Sequence, residues 1–125
     1  APHDNMGLIN KFFPELEGQL LGRTVRAPVD HTSYVTCSFE VSHRIDRDSV
    51  LSCLANTKIA STVLGMDVEP LVSSDYVTDP RSCVIDGTSV RVIDGSTIFL
   101  SAWYNNEYAF ASRMIDIASK INETL

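Results

Sequence analysis

The chain has 125 residues, 44% of them apolar and 21% charged, with a net charge of −6. That is the length and make-up of one globular domain with a core of its own. The acidic balance supplies no basic stripe for a nucleic acid or an anionic membrane surface, and no apolar run approaches the roughly twenty residues that span a bilayer.

In chain order, Asn5 to Phe13 carries apolar residues at near-helical spacing and is stopped by Pro14, which predicts a short helix. Gly18 and Gly22 punctuate a loop. The run GRTVRAPV is expected as a strand, and YVTCSFEVSH more firmly so. In the latter Val35, Cys37, Phe39 and Val41 alternate with polar residues, the mark of a strand with one buried face. Asp46 then stands as the N-cap of a helix ending near Asn56, with Ile45 and Val50 at the two positions of a hydrophobic staple.

The pairs Asp86-Gly87 and Asp94-Gly95 separate three β-rich runs, which predicts two tight turns and a three-stranded meander. From about Glu107, Ala111, Met114, Ile115, Ala118 and Ile121 form the apolar stripe of a last helix. No linker or low-complexity tract interrupts the chain, so residues 1–125 are expected as a single domain. The fold class is α+β: a largely antiparallel or mixed sheet with helices on one face.

Few residues announce chemistry. Cys37, Cys53 and Cys83 are widely spaced, with no zinc-ligand pattern. An odd number of separated thiols fits a reducing, cytoplasmic setting. His3, His31 and His43 have no partner nucleophile in sequence and are expected to be structural or exposed, His31 near a sheet edge. Leu71 to Ser82 clusters serines and aspartates around a proline, as Asx and Ser turns require, without calcium-loop spacing. Arg23 and Arg26 would point to opposite faces of a regular strand, and a guanidinium matches phosphate oxygens. The densest polar group is Tyr104-Asn105-Asn106-Glu107, at a strand-to-helix handover. An asparagine cap and a carboxylate in the first turn explain part of it. A second side-chain amide there is placed to bond a ligand's own amide.

The stretch WYNNEYAFASRM resembles the carboxyl-terminal signature of phosphorylating glyceraldehyde-3-phosphate dehydrogenases, and FFPELEGQLLGRTVRAPV and LVSSDYVTDPRSCVID resemble earlier segments in the same order. The double phenylalanine, IDGTSVRV and FASRMID lean slightly toward the related erythrose-4-phosphate dehydrogenases. The resemblance implies the catalytic domain of a glycolytic, tetrameric, NAD-dependent oxidoreductase. In that family a cysteine attacks the phosphorylated aldehyde, a histidine acts as base, and the resulting thioester is resolved by phosphate or water. Carried over by motif, Arg26 is the phosphate-binding arginine, Asn106 holds the nicotinamide carboxamide, and Tyr104 and Glu107 shape that pocket. The family's phosphate-site threonine and glycine fall at His3 and Asp4, where a carboxylate repels phosphate.

No Gly-x-Gly-x-x-Gly fingerprint and no nucleophile segment occurs in the sequence, and the catalytic histidine would lie upstream of Ala1. The expectation is therefore an incomplete catalytic domain, lacking the NAD-binding domain and the nucleophile, and inactive alone. The alternative is a stand-alone, non-catalytic relative used for oligomerisation or partner binding.

Overall fold

The structure, a computed structural model, describes residues 6–57, 59 and 61–124. Its elements are α1 (Met6–Phe12), a 3-10 turn (Pro14–Leu16), β1 (Ser33–Glu40), α2 (Arg47–Ala55), β2 (Leu64–Asp67), a second 3-10 turn (Ser73–Tyr76), β3 (Cys83–Ile93), β4 (Thr97–Tyr104) and α3 (Tyr108–Thr124). The strands form one open sheet in the order β1-β4-β3-β2. β1 and β3 flank β4 antiparallel, and β2 lies parallel to β3, so the sheet is mixed and the class is α+β.

Side chains on alternate residues divide the sheet into two faces. On one, Ile85, Val90 and Ala102 form a buried cluster with Val50 of α2, and Val35, Leu100 and Ile98 pack around it. Burying a side chain such as Val50 stabilises the fold by roughly 1.5–3 kcal/mol. Helix α2 is held over this face by the two devices expected of it. Asp46 accepts the Ser49 N–H at 2.8 Å, and Ile45 packs against the cluster that contains Val50. On the other face Trp103 lies between Tyr34, at a centroid distance of 4.4 Å, and Tyr76, at 5.6 Å.

Two expectations are corrected. GRTVRAPV is not a strand: it runs as irregular chain, with Val25 88% and Val29 57% exposed. Pro28 removes a backbone donor and, among the described residues, no strand pairs with the run, so extended composition alone does not make a ladder there.

The meander is a hairpin of two strands. Asp94 and Gly95 do turn the chain, both at positive φ (52° and 70°). Asp86-Gly87 instead sits inside β3, at a bulge: between Asp86 and Arg91 the strand advances five residues while β4 advances two. Asp86 accepts the N–H groups of Thr88 and Ser89, and Ser89 Oγ accepts the Ser101 N–H at 2.8 Å in place of a ladder bond. Gly87 is needed for space: a Cβ there would stand 3.0 Å from the Asp67 carbonyl.

Strand β2 carries no alternating pattern that would mark it in the sequence. Its carboxyl end is fixed by side chains from the following loop. Tyr76 Oη donates to Asp67 at 3.2 Å, and Arg81 bonds Asp67 and, at 2.6 Å, Asp79. Burial, reinforced by Asp67, pushes the Tyr76 hydroxyl up to about 12. Helix α3 has the predicted stripe, but Met114, Ile115 and Ile121 are exposed, and its first turn supplies the one buried residue of the helix, Ala109.

Candidate functional site

Strand β4 ends at Tyr104, paired with Ser33 at the start of the edge strand β1, and the chain turns through Asn105, Asn106 and Glu107 into α3. The two asparagines are used differently. Asn105 is 5% exposed, and its Oδ1 accepts the N–H groups of Glu107 and Tyr108, both at 2.8 Å. That is an N-cap, satisfying helix-terminal donors that would otherwise lack a partner. Its Nδ2 donates to the Val77 carbonyl at 2.9 Å, tying the cap to the loop below Tyr76. Asn106 is exposed, and its amide bonds none of the described residues.

Glu107 is exposed and lies 3.4 Å from His31 Nδ1. His31 takes a left-handed backbone conformation, with φ at 62°, which histidine tolerates better than most residues. Next to it Thr32 is buried and its Oγ1 donates to the Ser73 carbonyl at 2.9 Å. The loop before β1, the loop after β2 and the turn after β4 therefore meet at one end of the sheet. Sequence reading set His31 aside. The only hint was its place just before an alternating strand, and the fold brings it against Glu107. Sequence reading also left open which asparagine caps the helix.

Of Tyr104, Asn106 and Glu107, it is Glu107 that His31 meets. Arg26 is exposed in the irregular chain five residues earlier, and among the described residues it makes no hydrogen bond or ion pair with this group. The opposite facing expected of Arg23 and Arg26 required a regular strand, and none is formed there. His3 and Asp4 lie outside the described residues. Of the cysteines, Cys37 and Cys83 have thiols pushed up by burial, the wrong direction for a nucleophile. No helix among the described residues is long and apolar enough to cross a membrane.

Residues 4–106 match the family model described as the C-terminal domain of glyceraldehyde 3-phosphate dehydrogenase. The chain belongs to this family. The matched span includes Arg26 and Tyr104 and has Asn106 as its last residue; Glu107 falls just outside it. Among similar proteins, glyceraldehyde-3-phosphate dehydrogenase 3 of Nostoc sp. is 37% identical over 112 residues, which are 87% of this chain and 33% of the relative. Glyceraldehyde-3-phosphate dehydrogenase of Zymomonas mobilis is 37% identical over 115 residues, covering 90% and 34%. Glyceraldehyde-3-phosphate dehydrogenase 2 of Staphylococcus aureus is 31% identical over 117 residues, covering 94% and 34%. The chain spans about a third of the length of these curated relatives. All three are named for glyceraldehyde 3-phosphate, and none supports the lean toward erythrose 4-phosphate.

Proposed function

We propose that the chain is the carboxyl-terminal part of the catalytic domain of an NAD-dependent glyceraldehyde-3-phosphate dehydrogenase. The whole protein would oxidise the aldehyde through a cysteine thioester in the cytoplasm, as a homo-oligomer. The observation that carries this reading is the family match over residues 4–106, together with relatives about three times as long that match 87% and 90% of this chain. In this reading the nucleophile, the base and the nucleotide fold are supplied by the rest of the protein.

Asn106 suits a nicotinamide contact on chemical grounds. Its side chain offers one donor and one acceptor group, the complement of a carboxamide, and neither is spent on the described residues. NAD, when bound, supplies the hydride acceptor. The part of this chain is to hold the carboxamide in one orientation, because a cofactor fixed near the attack geometry removes much of the entropic cost of the reaction. Tyr104 and Glu107 flank that contact, and Glu107 keeps His31 beside it. Arg26 is proposed as a phosphate ligand. It needs a loop order that the flanking segments of the whole protein would provide.

The test is to express the whole open reading frame and follow NAD reduction with glyceraldehyde 3-phosphate and inorganic phosphate. Turnover that this 125-residue chain alone cannot perform is the expected result. Turnover with erythrose 4-phosphate instead would correct the substrate. A reading frame that begins just before Ala1 would favour the second reading, a non-catalytic module for association. The exposed apolar residues of α3, among them Phe110 and Ile115, are the feature that speaks for it.

A further inference from the structure

We infer that the cleft at the β3 bulge binds a phosphoryl dianion carried on a small molecule, at a place separate from the Asn106 turn. The cleft has a volume of about 400 Å³ and is lined by Arg47, Val68, Gly87, Thr88 and Arg91. Its two arginines converge on a single backbone oxygen. Arg47 Nε donates to the Val90 carbonyl at 3.0 Å, and Arg91 Nη1 donates to the same carbonyl at 2.7 Å. The two guanidinium groups are therefore no farther apart than two hydrogen bonds laid end to end.

Each is fixed by further carbonyls. Arg47 Nη2 donates to Gly87 at 3.1 Å, and Arg91 Nη1 to Thr88 at 2.7 Å. Among the described residues neither is paired with a carboxylate. The acid within the bulge, Asp86, spends Oδ1 on the Thr88 hydroxyl and on the N–H groups of Thr88 and Ser89.

Two cations held this close repel each other, and the repulsion falls when an anion sits between them. That arrangement is unexpected in a chain of net charge −6, where carboxylate partners are plentiful. Among the described residues, Arg47 spends no hydrogen bond from Nη1, and Arg91 none from Nε or Nη2. These N–H groups provide the fork that matches phosphoryl oxygens. Anchoring by backbone carbonyls means the forks are positioned before a ligand arrives, so less side-chain entropy is lost on binding. The cavity is larger than one phosphoryl group, and Val68 gives it an apolar wall, which favours a small phosphomonoester over inorganic phosphate.

The chain is titrated at constant ionic strength with inorganic phosphate, with glycerol 3-phosphate and with chloride, reading the melting temperature and the arginine side-chain N–H resonances. Glycerol 3-phosphate is expected to raise the melting temperature and shift the Arg47 and Arg91 resonances, with chloride inert. Arg91→Gln should weaken the apparent affinity about tenfold or more, the loss of a charged hydrogen bond. Arg23→Gln, at a residue that does not line the cleft, should leave it unchanged. Equal stabilisation of wild type and Arg91→Gln overturns the site, as does a shift confined to Arg26. Equal affinity for phosphate and glycerol 3-phosphate overturns the small-molecule part. If Arg91→Gln fails to fold, Arg91→Lys takes its place: it keeps the charge but loses the fork, and wild-type affinity there overturns the proposal equally.

Discussion

The Nδ2 of Asn105 donates to the carbonyl of Val77 at 2.9 Å, across twenty-eight residues of sequence, while the other end of the same amide caps α3. One buried side chain thus fixes the turn that displays Asn106. Replacing Asn105 by alanine removes the cap and leaves the Val77 carbonyl without its partner, so it should cost roughly 2 kcal/mol. Asn105→Asp keeps the acceptor for the helix and loses the donor, and should fall between alanine and wild type. Urea denaturation of the three proteins gives the order; an aspartate variant no better than alanine would show that the strut, not the cap, dominates.

Asn106, one residue on, should behave in the opposite way. It is exposed and unbonded to the described residues, so Asn106→Ala should change folding stability by less than about 0.5 kcal/mol. In the whole protein the same change should weaken NAD positioning by roughly 1–3 kcal/mol, one or two hydrogen bonds. Cofactor titration and steady-state rates measure this. Wild-type affinity and turnover would remove Asn106 from the site.

Gly87 is buried within β3, and a Cβ there would approach the Asp67 carbonyl at 3.0 Å and Val68 Cγ1 at 3.1 Å. Gly87→Ala should force the end of β2 away from the bulge and cost roughly 1–3 kcal/mol. Thermal denaturation tests it, and amide hydrogen exchange should show the loss of protection concentrated in Leu64–Asp67. An unchanged melting temperature would mean that β2 gives way without penalty.

Arg81 makes stability depend on acid. Its hydrogen bonds hold the Asp79 carboxyl below the ordinary carboxylate range, against the opposing effect of burial. A group whose folded pKa is depressed adds stability above its unfolded value of about 4, and that stability is lost as pH falls through the folded value. Arg81→Gln should therefore cost roughly 1–3 kcal/mol at pH 7. The difference from wild type should hold down to about pH 4 and shrink below it. Melting curves between pH 2.5 and 7 test this directly. Parallel curves at all pH values would show that Asp79 does not carry the effect.

The parts of the fold legible in the sequence are those whose causes lie close together along the chain. Helix α2 was readable because its cap, Asp46, and its staple, Ile45 with Val50, fall within six residues. The turn at Asp94-Gly95 was readable because positive φ is a property of the two residues themselves. Asp86-Gly87 carries the same letters, and there the local rule failed. Its carboxylate serves Thr88 and Ser89, and its glycine makes room for a strand from elsewhere in the chain. β2 was illegible for the same reason, since its partner and its clamps at Tyr76 and Arg81 all come later in sequence.

The candidate site divides in the same way. Tyr104 to Glu107 could be singled out by their crowding at one handover. That Asn105 is the strut and that His31 meets Glu107 depend on distant loops meeting at the sheet's end. Arg26 was placed by a strand pattern that had no partner strand to realise it.

The pairing of β1 with β4 has a consequence for how the chain is made. Glu40, the end of β1 nearer in sequence to β4, pairs with Thr97, so β1 must close a loop of more than fifty residues before it gains this neighbour. During synthesis β1 emerges well before β4, the strand it pairs with among the described residues. β3 and β4, joined by a tight turn, can pair as soon as both are outside. The nascent chain thus passes through a stage in which a finished hairpin and an unpaired strand wait for one another. In that interval an edge presented by a second nascent chain competes for the same backbone groups. Slowing translation before β4 should raise the aggregated fraction, and slowing it after Tyr104 should not.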